Sequence, residues 1–262
     1  VPLAFKMAAV PAHQWMPDVA EGAPAPVAAF LTVAAKIGAL LALARLMWIL
    51  PSTGVGWRPL VAVLAAATMT LGNLAALGQD DVRRLLGWSS VSQTGYGLMA
   101  VVALGRSDLA LPALLFFSLA YALANLAAFG VVVVLGGLTD RLRYRGLART
   151  RPVLTGALVV SFLSFIGIPP LGGFTAKLVL FGAAIDAGYL WLAVLAVANT
   201  VVSVAYYARV MAPAFFSDAD EHHPVLGPVA ALGTVVCAVG VVAVGVVAEP
   251  FLGWFHTAVL LP

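Results

Sequence analysis

The sequence has very little charge. Of its 262 residues only 10% are Asp, Glu, Lys or Arg, while 63% are hydrophobic, and the mean hydropathy is +1.04. A soluble domain carries about a quarter charged residues. So little charge cannot cover a surface that faces water, which excludes a soluble globular protein. We therefore predict an all-α polytopic membrane protein.

Cysteine and cofactor-binding patterns are also scarce. Cys237 is the single cysteine, which excludes an internal disulfide. There is no Gly-rich nucleotide loop, zinc pattern or haem attachment motif, and His222-His223 beside Asp220 and Glu221 has the wrong spacing for a preformed metal site. We expect no cofactor or metal on this chain. The net charge of +3 follows from membrane topology, so we expect a lipid bilayer and no nucleic acid as partner.

About eight apolar segments are long enough, or nearly long enough, to span a bilayer. They are 1–12, 26–49, 59–77, 88–104, 109–138, 152–184, 189–212 and 228–247. The first begins inside an apolar run, so we expect it to be the end of a span from a longer chain.

Two of these segments contain helix-breaking residues. Pro169 and Pro170 divide the segment 152–184, and Pro11 lies near the end of the first segment. Irregular backbone inside a bilayer is tolerated only where protein or a watery cavity surrounds it. We therefore expect two discontinuous helices, with the break at the two prolines facing the interior.

Arginine is confined to the loops and span ends, and its distribution predicts orientation. If the spans alternate, eight arginines fall on one side and three on the other, which places the first side, with the loop 13–22, in the cytoplasm. The first set is Arg83, Arg84, Arg141, Arg143, Arg145, Arg149, Arg151 and Arg209, and the second is Arg45, Arg58 and Arg106.

Lysine shows the opposite distribution, because Lys6, Lys36 and Lys177 all lie inside apolar segments. Lys36 lies about ten residues into its span, about 15 Å deep, near the centre of the hydrocarbon core. A buried lysine can release and regain a proton as its surroundings change, whereas an arginine stays protonated. The pattern favours a proton relay through the three lysines. The alternative is that they reach the interface or bridge helices by hydrogen bonds.

No Asp or Glu lies within a span, so carboxylates for these lysines must come from elsewhere in the protein or from a neighbouring subunit; otherwise the lysines are largely neutral. His13 and Tyr96 are further candidates for the proton path. A loop histidine and a helix-bridging tyrosine are the respective alternatives.

Five stretches of sequence carry a family resemblance. They are FKMAAVPAHQWMPDVAEGAPAPVAAFLTVAAKIGALLALARL, LGNLAALGQDDVRRLLGWSSVSQTGYGLMA, NLAAFGVV, SFIGIPPLGGFTAKLVLF and VSVAYYARV. Together they resemble subunit N of proton-translocating NADH-quinone oxidoreductase, bacterial respiratory complex I, and the resemblance covers nearly the whole chain.

The resemblance implies an antiporter-like fold of two inverted repeats, each with a broken helix. It assigns 1–50 to the end of the first repeat, 57–212 to the second and 228–262 to a C-terminal helix and tail of one membrane domain. Lys6 and Lys177 match the lysines of the two broken helices, and Lys36 matches the central-axis lysine between them. A glutamate that pairs with the first lysine in the family lies on an earlier helix.

The resemblance also implies partners and a location. The other membrane and peripheral subunits of complex I would carry NADH, FMN, Fe-S clusters and quinone, in a bacterial inner membrane. A subunit of a multisubunit cation/proton antiporter is the alternative function, and a purely structural membrane subunit is a third.

Overall fold

A computed structural model describes residues 2–50, 56–218 and 227–260, and across these ranges the regular structure is helical. A π-helical segment, Leu31–Ala35, joins the helices Ala25–Phe30 and Lys36–Ile49, and a short 3₁₀ turn, Arg141–Tyr144, precedes the helix Leu147–Thr150. The helices are α1 Pro2–Lys6, α2 Trp15–Gly22, α3 Ala25–Phe30, α4 Lys36–Ile49, α5 Trp57–Leu77, α6 Val82–Ala103, α7 Ala110–Val134, α8 Leu147–Thr150, α9 Pro152–Ile166, α10 Gly172–Asp186, α11 Leu190–Phe216, α12 Pro228–Val246 and α13 Ala248–His256.

Five helical runs in the described ranges are long and apolar enough to cross a membrane by themselves. They are Ala25–Ile49, Trp57–Leu77, Ala110–Val134, Leu190–Phe216 and Pro228–Val246. The prediction of an all-α polytopic membrane protein is confirmed. Asp220, Glu221, His222 and His223 lie outside the described residues.

Helix α6 is a sixth long helix, and it is buried on almost every side. It begins at Val82, six residues before the predicted start of its span, because the Asp81 side chain caps the helix by accepting from the Arg84 backbone N–H at 2.8 Å. Since other helices surround α6, it can carry serine, threonine, glutamine and tyrosine without exposing them to lipid. It is therefore the polar centre of the bundle.

Glycine allows α5 and α6 to approach each other closely. A Cβ on Gly72 would lie 2.5 Å from the backbone nitrogen of Ser92, and one on Gly95 would lie 2.5 Å from that of Met69. No side chain fits at either distance. Small residues at such crossings are typical of helix packing in membranes.

The first discontinuous span consists of α1 and α2, with irregular backbone between them. The prediction of a loop over 13–22 was wrong, since Trp15–Gly22 is helical. Pro17 lies near the start of α2, where its missing N–H leaves no intrahelical bond unmade. The second discontinuous span, α9 and α10, is broken between Ile166 and Gly172, as the prolines predicted.

The arginines separate to two ends of the bundle, as the topology argument predicted. At one end Arg84 pairs with Asp18 and Glu21, at 2.8 and 2.6 Å, and Arg209 pairs with Asp80 at 2.8 Å. Arg141 also donates to the exposed Asp80 carboxyl, and this hydrogen bond is the main reason why the pKa of Asp80 is lowered. At the other end the arginines donate to backbone carbonyls: Arg58 to Leu104, Arg106 to Ala187 and Arg45 to Leu260.

Candidate functional site: two buried lysines

Lys36 is fully buried at the first position of α4. Its ammonium donates to the carbonyl and hydroxyl oxygens of Ser90 and, at 3.1 Å, to the hydroxyl of Tyr121. The ammonium also lies 4.5 Å from the centre of the Tyr121 ring. Three acceptors match the three N–H donors of a charged lysine, and all three belong to neutral groups.

The π-helical segment before Lys36 shapes this site. The hydroxyl of Tyr121 donates to the Thr32 carbonyl at 3.0 Å, and the Asn125 side chain donates to the Thr32 hydroxyl at 2.7 Å. Tyr121 and Asn125 lie one turn apart on α7, so one face of α7 binds the π-helical segment. π-helical turns are rare and occur often at functional sites.

Lys177 lies on α10 one and a half turns after the break, with only 5% of its surface exposed. Its ammonium donates to the Ile166 carbonyl and to the Thr200 hydroxyl, both at 3.1 Å. Ile166 is the last residue of α9, so the ammonium faces the negative end of that helix. The break therefore supplies the acceptor and the partial charge that stabilise a protonated Lys177.

Tyr96, a predicted path residue, lies beside Lys177. The ammonium lies 4.2 Å from the centre of the Tyr96 ring, and the Tyr96 hydroxyl lies 3.1 Å from that of Thr200. Tyr96 is on α6, Thr200 is on α11 and Ile166 ends α9, so three other helices converge on the lysine.

A small cavity lies between the two lysine sites. Its volume is about 10 Å³, at the lower limit for one water molecule. Tyr121, which binds Lys36, and Lys177 itself both line the cavity, and so does Gln93. Tyr121 is therefore the polar group that joins the Lys36 site to the cavity beside Lys177.

Lys6 differs from the other two lysines. The prediction that it is buried was wrong for this chain, since Lys6 is exposed in a groove of about 510 Å³ that it shares with Trp15, Ala35 and Gly38. Described residues of this chain do not cover that face of α4, while the opposite face buries Lys36. The structure thus connects Lys36, through Tyr121, to the cavity that Lys177 lines, and leaves Lys6 on a different surface.

The first break is tied to the polar helix α6 and to α5. Thr94 donates to the Met7 carbonyl at 2.6 Å, and the Val10 N–H donates to the Thr68 hydroxyl at 3.1 Å. Pro11 follows directly and is exposed, whereas His13 is 8% exposed and its ring stacks at an angle on Trp88. His13 therefore packs in the interior beside the break rather than in a solvated loop.

The second break faces the interior on only one side. The carbonyl side binds Lys177, but Ile168, Pro169 and Pro170 are exposed on the surface of the chain. The prediction that this break faces the interior was wrong for the turn of the two prolines, because the described helices enclose the lysine but leave these prolines exposed.

Four site residues carry most of the contacts that the lysine pattern did not reveal: Ser90, Gln93, Tyr121 and Thr200. The available signal was a group of polar residues inside an apolar segment, since Ser90, Gln93 and Thr94 lie within little more than one turn of α6. Pattern alone did not separate residues that bind lysine from those, such as Thr94, that hold a break.

No carboxylate reaches either buried lysine within the described part of the chain. Every ion pair between described residues has an arginine as its cation, and every described Asp and Glu is at least partly exposed. The two lysines are held by hydroxyls, carbonyls and aromatic rings alone. Such surroundings allow a lysine to exist in either protonation state with small rearrangements of hydroxyl groups.

Comparison with known proteins decides the family. Residues 1–203 match the family model described as NADH:quinone oxidoreductase/Mrp antiporter, transmembrane. The chain belongs to this family.

Named relatives narrow the resemblance within the family. NADH-quinone oxidoreductase subunit N of Mycobacterium sp. (strain JLS) is 52% identical over 224 residues, which cover 84% of this chain and 48% of that protein. Subunit N 1 of Streptomyces griseus is 51% identical over 228 residues, or 86% of this chain and 48% of that protein. The chain thus spans about half the length of the curated relatives it matches.

Solved structures agree on the fold. A chain of respiratory complex I from Thermus thermophilus with bound aureothin superposes with a TM-score of 0.83 at 35% identity, over 96% of this chain and 56% of that one. A chain of the Mrp complex from Dietzia sp. DQ12-45-1b gives a TM-score of 0.89 at 24% identity, over 97% and 56%. The second likeness concerns the fold alone. The antiporter-like membrane architecture is thereby confirmed.

Proposed function

We propose that this chain is part of subunit N of a bacterial NADH-quinone oxidoreductase and moves protons through Lys36 and Lys177. NADH oxidation and quinone reduction would take place in other subunits, which hold NADH, FMN, Fe-S clusters and quinone. The single observation that carries the proposal is that two buried lysines, each held by neutral acceptors, meet at one cavity: Lys177 lines it, and Lys36 reaches it through Tyr121. The high identity to proteins named subunit N supports this choice of complex.

The proton movement follows from the contacts. A proton on Lys36 can pass to the Ser90 or Tyr121 hydroxyl only as that hydroxyl passes its own proton onward. A water in the cavity beside Tyr121 and Gln93 would accept it, and a neutral Lys177 would then take it up. Lys177 returns to the neutral form when it releases the proton past Thr200 and Tyr96.

Lys6 belongs to the proposal as the entry to the relay, with His13 and Pro11 at its break. Its exposure in a groove supports a partner group supplied by another part of the complex. The division into the end of a first repeat, a second repeat and a C-terminal helix, and the bacterial inner membrane as location, are part of the same proposal.

The test uses the complete complex in sealed vesicles, with NADH-driven proton uptake as the measurement. Lys36→Met should slow proton transfer through this subunit by about 100-fold or more, since a positioned acid–base group typically contributes that much. Arg45→Met is the control, because it removes an exposed cation from the same helix. Unchanged uptake in assembled Lys36→Met would refute the relay.

A wild-type result can also redirect the proposal. Uptake driven by a sodium or proton gradient without NADH would favour the alternative function, a subunit of a cation/proton antiporter. The shared family model and the fold shared with the Mrp chain are compatible with that alternative.

A further inference from the structure

The last turn of α12 packs directly on the backbone of the second break. A Cβ on Gly245 would overlap the Pro170 carbonyl oxygen and lie 2.5 Å from the Gly172 nitrogen. Real Cβ atoms essentially never come within 3.0 Å of another heavy atom. At Gly245, α12 therefore touches the break with bare backbone.

The turn before Gly245 extends the same contact. A Cβ on Gly172 would lie 3.3 Å from the Val241 carbonyl oxygen and 3.6 Å from a Val244 methyl group, and both valines are buried. α12 thus packs closely against the start of α10. Close-packed interiors transmit small displacements rather than absorbing them.

Lys177 lies on the inner side of the same break. A Cβ on Gly167, which has a φ of +91°, would lie 3.1 Å from the Lys177 Cδ atom. The backbone of Gly173 touches the Ser164 carbonyl so closely that a Cβ there would overlap it, and the Gly173 N–H donates to the Ser164 hydroxyl at 3.1 Å. The break is therefore tightly packed both where α12 meets its backbone and where it meets Lys177, so a displacement of this backbone by α12 reaches the lysine.

We propose that Gly245 is a positioning residue for Lys177: it lets α12 hold the break where the Ile166 carbonyl meets the lysine ammonium. The consequence for proton movement rests on the proposed function. A side chain at position 245 would displace the Pro170–Gly172 backbone by several tenths of an ångström or more. The 3.1 Å bond from Lys177 to Ile166 would then lengthen or break.

The chain offers two matched controls. Gly233→Ala lies on the same helix and meets nothing within 4 Å. Gly130→Ala, on α7, would overlap the Thr234 hydroxyl of α12 and therefore strain the same helix far from the break. The first control reports the effect of an added methyl group alone. The second reports the effect of strained α12 packing without displacement of the Lys177 site.

The experiment compares Gly245→Ala with both controls in the complete complex. Hydrogen exchange of residues 166–174 reports the break, and protons taken up per NADH oxidised report the relay. We expect exchange to be about tenfold faster in Gly245→Ala alone, and uptake per NADH to fall in Gly245→Ala alone. The proposal would be overturned if Gly245→Ala showed the same exchange and uptake as Gly233→Ala. It would also be overturned if Gly245→Ala lost no more uptake than Gly130→Ala.

Two further outcomes remain decisive. If Gly245→Ala does not assemble, Val244→Ala removes only the methyl groups that face Gly172, and exchange of 166–174 at the wild-type rate would then overturn the proposal. If exchange rises while Lys177→Met leaves uptake unchanged, Gly245 positions the break but the proposed proton relay fails.

Discussion

The ammonium of Lys36 lies 3.1 Å from the hydroxyl of Tyr121, a residue 85 positions later in the chain. The same hydroxyl donates to the carbonyl of Thr32, in the π-helical segment that leads into Lys36. One phenol group therefore binds the lysine and also fixes the backbone that presents it. Tyr121 further lines the cavity shared with Lys177, which makes it the link between the two lysine sites.

Replacement of Tyr121 by phenylalanine should slow proton uptake about tenfold or more, because a positioned proton-transfer group is lost. Stability should fall by only about 1–3 kcal/mol, as expected when a buried polar group loses its partner. Tyr144→Phe is the control, since Tyr144 is equally buried and its hydroxyl donates to the Leu138 carbonyl away from the lysines. Equal loss of uptake in both variants, measured in sealed vesicles, would show that Tyr121 acts only through stability.

Lys177→Arg tests whether the site needs a proton that can leave. Arginine keeps the positive charge and can still donate to the Ile166 carbonyl and the Thr200 hydroxyl, but it does not deprotonate in proteins. We expect the complex to assemble while uptake through this subunit falls about 100-fold, as with Lys177→Met. A variant with Arg at 177 and full NADH-driven uptake would show that charge alone suffices.

Arg83 and Arg84 are neighbours on α6 with different expected effects. Arg83 is 8% exposed and donates to the carbonyls of Ala20 and Ala23 at the end of α2. Without Arg83 these two carbonyls lose this donor, so Arg83→Ala should lower the free energy of unfolding by about 2–4 kcal/mol. Arg84→Ala removes only exposed ion pairs, worth about 0.2–1 kcal/mol. The midpoints of thermal unfolding in detergent measure both, and a larger shift for Arg84→Ala would contradict the assignment.

Gly95→Ala tests the close crossing of α5 and α6. The new methyl group would lie 2.5 Å from the Met69 nitrogen and 2.7 Å from the Ala65 carbonyl oxygen, so the helices must separate. We expect a loss of about 3 kcal/mol or more, because both contacts are backbone atoms that cannot rotate away. Gly156→Ala, at an exposed position of α9, meets nothing within 4 Å and should be neutral or stabilising by up to about 1 kcal/mol. Assembly yield and thermal midpoints compare the two.

The sequence alone determined the membrane class and the position of the second break, and it singled out the lysines as candidate site residues. Low charge and long apolar runs leave no other fold class, and adjacent prolines cannot continue a helix. The confinement of lysine to apolar segments is likewise visible residue by residue. These features are local or compositional, and no knowledge of neighbours in space is needed to read them.

Only the tertiary structure decided which polar groups meet the lysines and which lysine is buried. Ser90, Tyr121 and Thr200 reach their lysines across 54, 85 and 23 positions of sequence, distances over which no pattern carries information. Burial of Lys36 and exposure of Lys6 depend on which helix face other helices cover. The contact of Gly245 with the break depends in the same way on how α12 docks, because a close approach of two backbones is a property of packing and not of either segment alone.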